Sequence, residues 1–404
     1  MSVVERLRVL RVPSPLVRPF VTAVRRTDHL DVVLVEATDA DGRVGWGEAA
    51  TSWRVTGESA QSVSAVVTGP LGAVIAGRDA GDPELARDIA RAVWGNAAAR
   101  SALACAVADL DARRRGLPLA AALRGDTGAT PSPTAAPSPT ATPTSMPSIP
   151  RIRTDMTLSA APAEELAARA REHVAAGFGC LKVKASADHD TVAGLRAIRA
   201  AVGPEVSVRI DANQAWDVDT AIRIIRACED EGFGVEFVEQ PTPAHDLDAL
   251  ARVTVAVDTP IMADESVRTA DDVRAIVERG AAALVNLKLA KTGGPAEAIA
   301  AARVAQEAGL GVVIGCMMES HVGVTASAHL AAALVPDGVH DLDAASWLRR
   351  SPVIGGVVAA GEILELGTTP GTGIRGLAAE PAEIRGEAQP EVLADIALAR
   401  TARA

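Results

Sequence analysis

Between residues 151 and 345 the chain repeats one pattern, and that repeat constrains the fold more than any other feature. Short apolar runs ("CLKVKA", "VSVRIDAN", "VEFVEQP", "PIMADES", "ALVNLKLA", "GVVIGCMME") alternate with Ala-rich stretches of helical periodicity such as "DVDTAIRIIRACEDEGF". Strands and helices alternating in this way form βα units around a parallel sheet. Adding "TDMTLS" before the six runs and "HDLDAA" after them gives eight, the number that closes a (β/α)8-type barrel, a modified TIM barrel.

The runs end on charged residues. Lys182 and Lys184 close the first, then come Asp211, Glu239, Asp264 and Lys288, separated from Lys184 onward by 27, 28, 25 and 24 residues. All therefore fall at the carboxyl ends of consecutive strands, where such barrels build their sites. Residues i and i+2 of a strand share a face, so Lys182 and Lys184 aim at one spot. Neighbouring strands lie about 5 Å apart, so the three acids converge and need a cation. An oxygen-only set with no His or Cys selects a hard ion, Mg²⁺. Lysines precede and follow the acids in strand order, on opposite sides of a closed barrel. A lysine beside other cations in a desolvated site gives up its proton more easily and can act as a base.

The rest of the chain frames this barrel, placed at residues 151–355. Residues 1–125 read as an α+β cap: "DVVLVEATDADGRVGWGEA" gives two strands around a turn at Asp39–Gly42, and the stretch from 58 to 116 turns helical. Residues 126–150 break the pattern, since seven Pro and ten Ser or Thr lie between positions 127 and 150, and read as a disordered insert. Residues 356–404 are expected to return to the cap as short strands and to fray at the end. A net charge of −11 and a pI near 5.2 argue against a nucleic-acid partner. Without a signal-like start or a spanning apolar run, no membrane partner is expected. Four scattered cysteines without CxxC spacing fit reduced thiols in a cytoplasm.

Taken in order, KxK at 182–184, DxN at 211–213, VEQP at 238–241, ADES at 263–266 and NLKxxKxGG at 286–294 resemble the enolase superfamily, muconate-lactonising-enzyme subgroup. "GWGEA" and "DLDARRRGLPL" are similar to that family's capping domain, so the resemblance spans almost everything except the Pro/Thr insert. It implies one Mg²⁺ per subunit, which binds a substrate carboxylate and stabilises the enediolate left when the α-proton departs. By the same resemblance Asp211, Glu239 and Asp264 are metal ligands and Lys184 and Lys288 the acid/base pair. Lys182 is an electrostatic helper that also contacts substrate, and Asn213, Glu265 and Glu319 stand behind these groups.

Bases on both faces of one α-carbon suit a racemase or epimerase. Asp341 and Asp343, again an i, i+2 pair, suit a substrate ammonium group, and the dipeptide epimerases of the family are similar in having such a pair. The resemblance thus implies a dipeptide substrate whose C-terminal residue is inverted by two-base 1,1-proton transfer. Thr157 and Cys316 match substrate-touching positions, and Arg25 on a cap loop could pair with an acidic side chain, as in L-Ala-D/L-Glu. Other reactions of the subgroup remain open: muconate-type cycloisomerisation, o-succinylbenzoate synthesis and N-acylamino-acid racemisation. So does a non-catalytic scaffold. A homo-oligomer is the expected assembly, of a size the residues do not give.

Overall fold

A computed structural model describes residues 3–21, 26–125, 150–186, 188–378 and 390–398. The Pro/Thr-rich insert up to residue 149 and Arg25 lie outside the described residues.

The N-terminal part is built on the strands Val4–Val21 (β1), Arg26–Asp39 (β2) and Val44–Ala49 (β3), antiparallel in that order. The β2–β3 hairpin turns at Gly42, whose φ of 78° suits glycine, while Asp39 Oδ1 accepts from the amides of Asp41 and Arg43. The helix Ala97–Arg114 lies directly on β3. A Cβ on Gly45 would stand 2.0 Å from Ala106 O, and one on Gly47 would stand 1.9 Å from Ala102 O. The two glycines of "GWGEA" are therefore what lets helix and strand backbones touch. Val33, Val35 and Ala37 pack there against Leu103, Ala106 and Leu110.

The first barrel strand is divided. Ile152–Thr154 (β4) and Met156–Leu158 (β5) flank Asp155. From β5 a parallel sheet runs through Cys180–Lys184 (β6), Ser207–Asp211 (β7), Val235–Glu239 (β8), Ile261–Ala263 (β9), Leu284–Lys288 (β10) and Gly311–Gly315 (β11). The eighth member is short: Val339–His340 (β12) pairs in parallel with β4, and Asp341 bridges to Gly315 on β11. The circle thus closes with seven strands in one ladder and a two-residue strand across the gap. Outer helices bury one stripe: in Val218–Asp230, capped by Asp217, it is Ala221, Ile225 and Cys228, whereas the helix His321–Leu334 is buried on all sides from Val322 to Ala332.

The C-terminal segment divides its pairing. Val353–Ile354 (β13) pairs with Gly376–Leu377 (β16). Val358–Ala360 (β14) and Ile363–Glu365 (β15) join the barrel strand β4 rather than the cap. Thr372 N then donates to Asp109 of the cap at 2.6 Å. The end expected to fray carries Glu391–Ala397 (β17), which adds to the open edge of β1 as the cap's fourth strand.

Candidate active site

Lateral register brings the strand ends together. Lys184 pairs with Asp211, Asp211 with Glu239, and Glu239 with Met262, two residues before Asp264. Lys288 pairs with Gly315, and Gly315 bridges to Asp341. A cavity of about 510 Å³ opens above them between barrel and cap. Lys184, Lys288, Asp264, Asp341, Asp343 and Thr157 line it; Asn213, Glu265 and Cys316 do as well. Lys182, Asp211 and Glu239 are fully buried just beneath.

The acids and lysines interlock. Lys182 Nζ lies 2.5 Å from Glu239 Oε2, 2.8 Å from Asp341 Oδ2 and 3.1 Å from Asp211 Oδ2. Lys184 Nζ donates to Asp211 Oδ2 at 2.5 Å. Lys288 Nζ donates to Asp264 Oδ2 at 2.8 Å and stands 4.0 Å from Glu239 and 3.9 Å from Asp341. Lys291, which sequence reasoning did not single out, donates to both the carboxylate and the carbonyl of Asp264.

These contacts decide the charges. Burial works against both Lys182 and Lys288, but the surrounding carboxylates outweigh it and hold each ammonium well above the ordinary lysine range. For these two lysines the direction is opposite to an easy loss of the proton, because each faces more carboxylates than ammonium groups, whereas burial moves Lys291 down despite Asp264. Burial drives Glu239 up to about 8, with Asp211 adding to the shift. Asp264 moves down: burial opposes its charge, and Lys288 and Lys291 overcome that. Burial and then Asp264 push Glu265 up to about 7.

Asp211, Glu239 and Asp264 do not form the tightest acid group. Among the described residues the one set of three ligating atoms within 4.8 Å of one another belongs to Asp155, Asp341 and Asp343. Asp343 sits on a turn with φ −83° and ψ −7°, not on an extended strand end, yet its carboxylate still reaches Asp341. Its Oδ2 accepts from Thr157 N at 2.8 Å and from Trp347 Nε1 at 3.0 Å. Cys316 N donates to Asp341 O at 2.9 Å.

Around the three strand-end acids, several buried oxygens accept no hydrogen bond: Glu265 Oε2, Asn213 Oδ1 and Asn286 Oδ1, while Glu239 Oε2 has only the Lys182 ammonium beside it. Buried acceptors normally have donors, so a hard cation with its water shell fits this oxygen-rich set.

Residues 5–123 match the family described as "Mandelate racemase / muconate lactonizing enzyme, N-terminal domain", and residues 165–377 match "Enolase C-terminal domain-like". The chain belongs to the enolase superfamily. It is 35% identical over 378 residues to the L-Ala-D/L-Glu epimerase of Bacillus subtilis, covering 92% of this chain and 97% of that one. A substrate-liganded structure of the B. subtilis L-Ala-D/L-Glu epimerase superposes with a TM-score of 0.86 at 35% identity, over 94% of this chain and 100% of the other. The dipeptide epimerase of Methylococcus capsulatus, solved with Mg and L-Arg-D-Lys, gives a TM-score of 0.80 at 33% identity, over 93% of this chain and 99% of the other.

This enolase-superfamily site has further members the sequence reading passed over. Asn286, two residues before Lys288, donates from Nδ2 to Glu239 Oε1 at 2.8 Å and to Asp341 Oδ2 at 3.4 Å. Asp155 stands two residues before Thr157. The same i, i+2 rule that picked out Lys182 would have found both. Asn213, Gln214 and Gln240 hold φ of 43°, 67° and 35° without being glycine, a concentration of strained backbone at the site. Gln240 Oε1 accepts the amide of Asp264 at 2.9 Å, so the strained turn fixes that acid. Glu319, buried and pushed up to about 8 by burial and by Glu48, accepts from Met317 N. Glu48, on cap strand β3, accepts from Ser320 N, Ser320 Oγ and Gly323 N at the start of the helix His321–Leu334 and so ties cap to barrel.

Proposed function

We propose that the protein is a Mg²⁺-dependent dipeptide epimerase that inverts the α-carbon of a dipeptide's C-terminal residue. One observation carries the reading: Lys184 on β6 and Lys288 on β10 line one cavity from across the barrel, with Asp341 and Asp343 forming a further wall. Its relatives' names and structures support it, since they act on or hold dipeptides.

Asp211, Glu239 and Asp264 would hold the metal, three buried carboxylates whose only cations among the described residues are lysine ammonium groups. Mg²⁺ bound there supplies positive charge to a substrate carboxylate whose α-carbon has lost its proton, and competes with the ammonium groups for the acids. Lys184 and Lys288 take the α-proton on one face and return one on the other. Lys182 keeps its charge against Asp211, Glu239 and Asp341 and sustains the positive field. Asp341 and Asp343 receive the substrate ammonium, and Thr157 and Cys316 fix that wall through their backbone amides. Asn213, Glu265 and Glu319 orient the groups around them. Side-chain preference belongs to the cap loops. L-Ala-D/L-Glu is one candidate substrate, with Arg25 as the counter-charge; the relatives' names span L-Ala-D/L-Glu and L-Arg-D-Lys. A cytoplasmic homo-oligomer completes the proposal. The four described cysteines are buried and unpaired, and no helix among the described residues is long and apolar enough to cross a membrane.

Incubation with Mg²⁺ and a dipeptide library in D₂O should place deuterium on the α-carbon of the C-terminal residue. K184M and K288M should each block exchange of one enantiomer, by about 10²- to 10⁴-fold for the loss of a positioned base. No exchange with any dipeptide retires the proposal. Full activity in a D341N/D343N double variant would favour a reaction of the subgroup that needs no free amine.

A further inference from the structure

Asp155 occupies the break between β4 and β5, and its carboxyl is wholly shut off from solvent. Oδ2 accepts a 2.9 Å hydrogen bond from Arg209 Nη1, whereas Oδ1 is buried and accepts none. Asp341 and Asp343 place carboxylate oxygens within 4.8 Å of it. Three carboxylates that close, away from water, are not all ionised unless a proton or a cation stands among them.

The groups facing this cluster do not supply enough positive charge. Arg209 on β7 also bonds Glu236 of β8 and the carbonyl of Val339. Lys182 on β6 is shared among Asp341, Glu239 and Asp211, and Lys288 on β10 stays 3.9 Å from Asp341. Cys180 on β6 is held un-ionised by burial, its thiol pushed above the ordinary range. His340 on β12 is kept neutral, with one ring nitrogen accepting from Ile314 N and the other bonded to Val335 O. Asn286 offers Asp341 only a 3.4 Å contact. Burial and then Asp341 raise the Asp343 carboxyl too, but two neutral donors pull against that shift, and Asp341 has Lys182. Asp155 is the member with an oxygen to spare, and burial followed by Asp341 holds its carboxyl up at about 7.

We propose that Asp155 is the third carboxyl of the ammonium-reading wall and carries a proton that an incoming substrate ammonium displaces. The proposal rests on the dipeptide reading above. When R–NH₃⁺ enters, the O–H bond at Asp155 Oδ1 breaks and the proton leaves to solvent, so the charge of the cluster is conserved. Asp155 does not line the cavity, so it acts through Asp341 and Asp343 and is a positioning residue. An N-acylated dipeptide brings no cation and displaces nothing.

The test is titration calorimetry of the Mg²⁺-loaded protein at pH 6, in two buffers of different ionisation enthalpy. The probe is L-Ala-L-Glu or whichever dipeptide exchanges deuterium fastest. Epimerisation consumes no net proton, so buffer dependence reports binding alone. The wild type should release about one proton and bind about tenfold more weakly for each pH unit below the point where Asp155 ionises. Asp155→Asn, whose amide donates as the acid hydroxyl did, should release close to none and show flat affinity from pH 6 to 7, below the range where the dipeptide amine loses its own proton. Infrared difference spectra of wild type against variant should show a protonated carboxyl band at pH 6 that dipeptide abolishes. Binding without proton release in the wild type, or equal release from the variant, overturns the inference. If no dipeptide binds, the functional reading falls, and the infrared band decides alone whether Asp155 holds a proton. If the variant does not fold, the wild-type measurements decide.

Discussion

The two sides of the barrel mouth neutralise buried negative charge in different ways. At the ends of β7, β8 and β9 the partners are lysines: Lys182, Lys184, Lys288 and Lys291 contact Asp211, Glu239 and Asp264. Across the barrel Asp341 also uses Lys182, but Asp343 rests on a backbone amide and an indole, and Asp155 on Arg209. An ammonium on four methylenes can swing aside, whereas a guanidinium fork, an indole and a strand amide cannot. The lysine side can therefore exchange its cations and free a lysine for proton transfer. The other side is a preset anionic wall. Similar acids have become different tools because their partners differ in mobility.

The comparison breaks most visibly at Glu239. Glu239→Gln keeps the shape and can still accept from Asn286, but it removes a charge from the lysine side. Mg²⁺ affinity should collapse, and the exchange rate should fall by about a thousandfold, the several kcal/mol that a metal-held charge supplies. Asp343→Asn should raise the KM for dipeptides while leaving calorimetric Mg²⁺ affinity unchanged. If it lowers Mg²⁺ affinity as Glu239→Gln does, the two sides are one site.

Acid should separate the two sides next. His340 precedes Asp341 in the strand that closes the barrel and is buried as the neutral ring. Burial moves its pKa from 6.5 down to about 4. A group depressed in the folded state is protonated first in the unfolded chain, so the stability it protects is complete above 6.5 and is lost as pH falls towards 4. Between pH 7.5 and 5 the loss from this residue should be about 2 kcal/mol. Urea midpoints for wild type and His340→Asn at both pH values isolate that share, because His173 and His329, also depressed, contribute equally to both proteins.

Much of this site could be read from the chain because it repeats. Lys184, Asp211, Glu239, Asp264 and Lys288 are one per βα unit, so spacing alone placed them on one rim, and the Asp39–Gly42 turn announced its hairpin. What escaped depends on partners far along the chain. "TDMTLS" alternates like one strand, and only the pairing of β4 with β12 and of β5 with β6 reveals the break at Asp155. Glu48 caps a helix that begins 272 residues later at Ser320, and no local pattern reports that. The last strand forms because β1 has a free edge, which the composition of residues 391–397 does not disclose. The high charge of Lys182 and Lys288 was hidden for the same reason: it follows from the carboxylates facing each ammonium, a property of the closed barrel.

Asn286 offers the smallest effect and the sharpest test of how separate the two sides are. Its amide touches Glu239 on one side and Asp341 on the other, the one uncharged side chain among the described residues that donates to both. Gly315 leaves it room: a Cβ there would stand 2.3 Å from Asn286 Oδ1. Asn286→Ala removes a charge-assisted donor from each carboxylate, a loss of about tenfold in function if the sides respond independently. Independence means that Mg²⁺ affinity and dipeptide KM each weaken modestly, and that the effect on KM is the same at low and saturating Mg²⁺. If KM worsens only when Mg²⁺ is subsaturating, the amide is a coupling element: metal on one side sets the aim of Asp341 on the other through Glu239 and Asn286. The double variant Asn286→Ala/Asp341→Asn separates the cases, since additive losses require independent contacts and a sub-additive loss requires coupling.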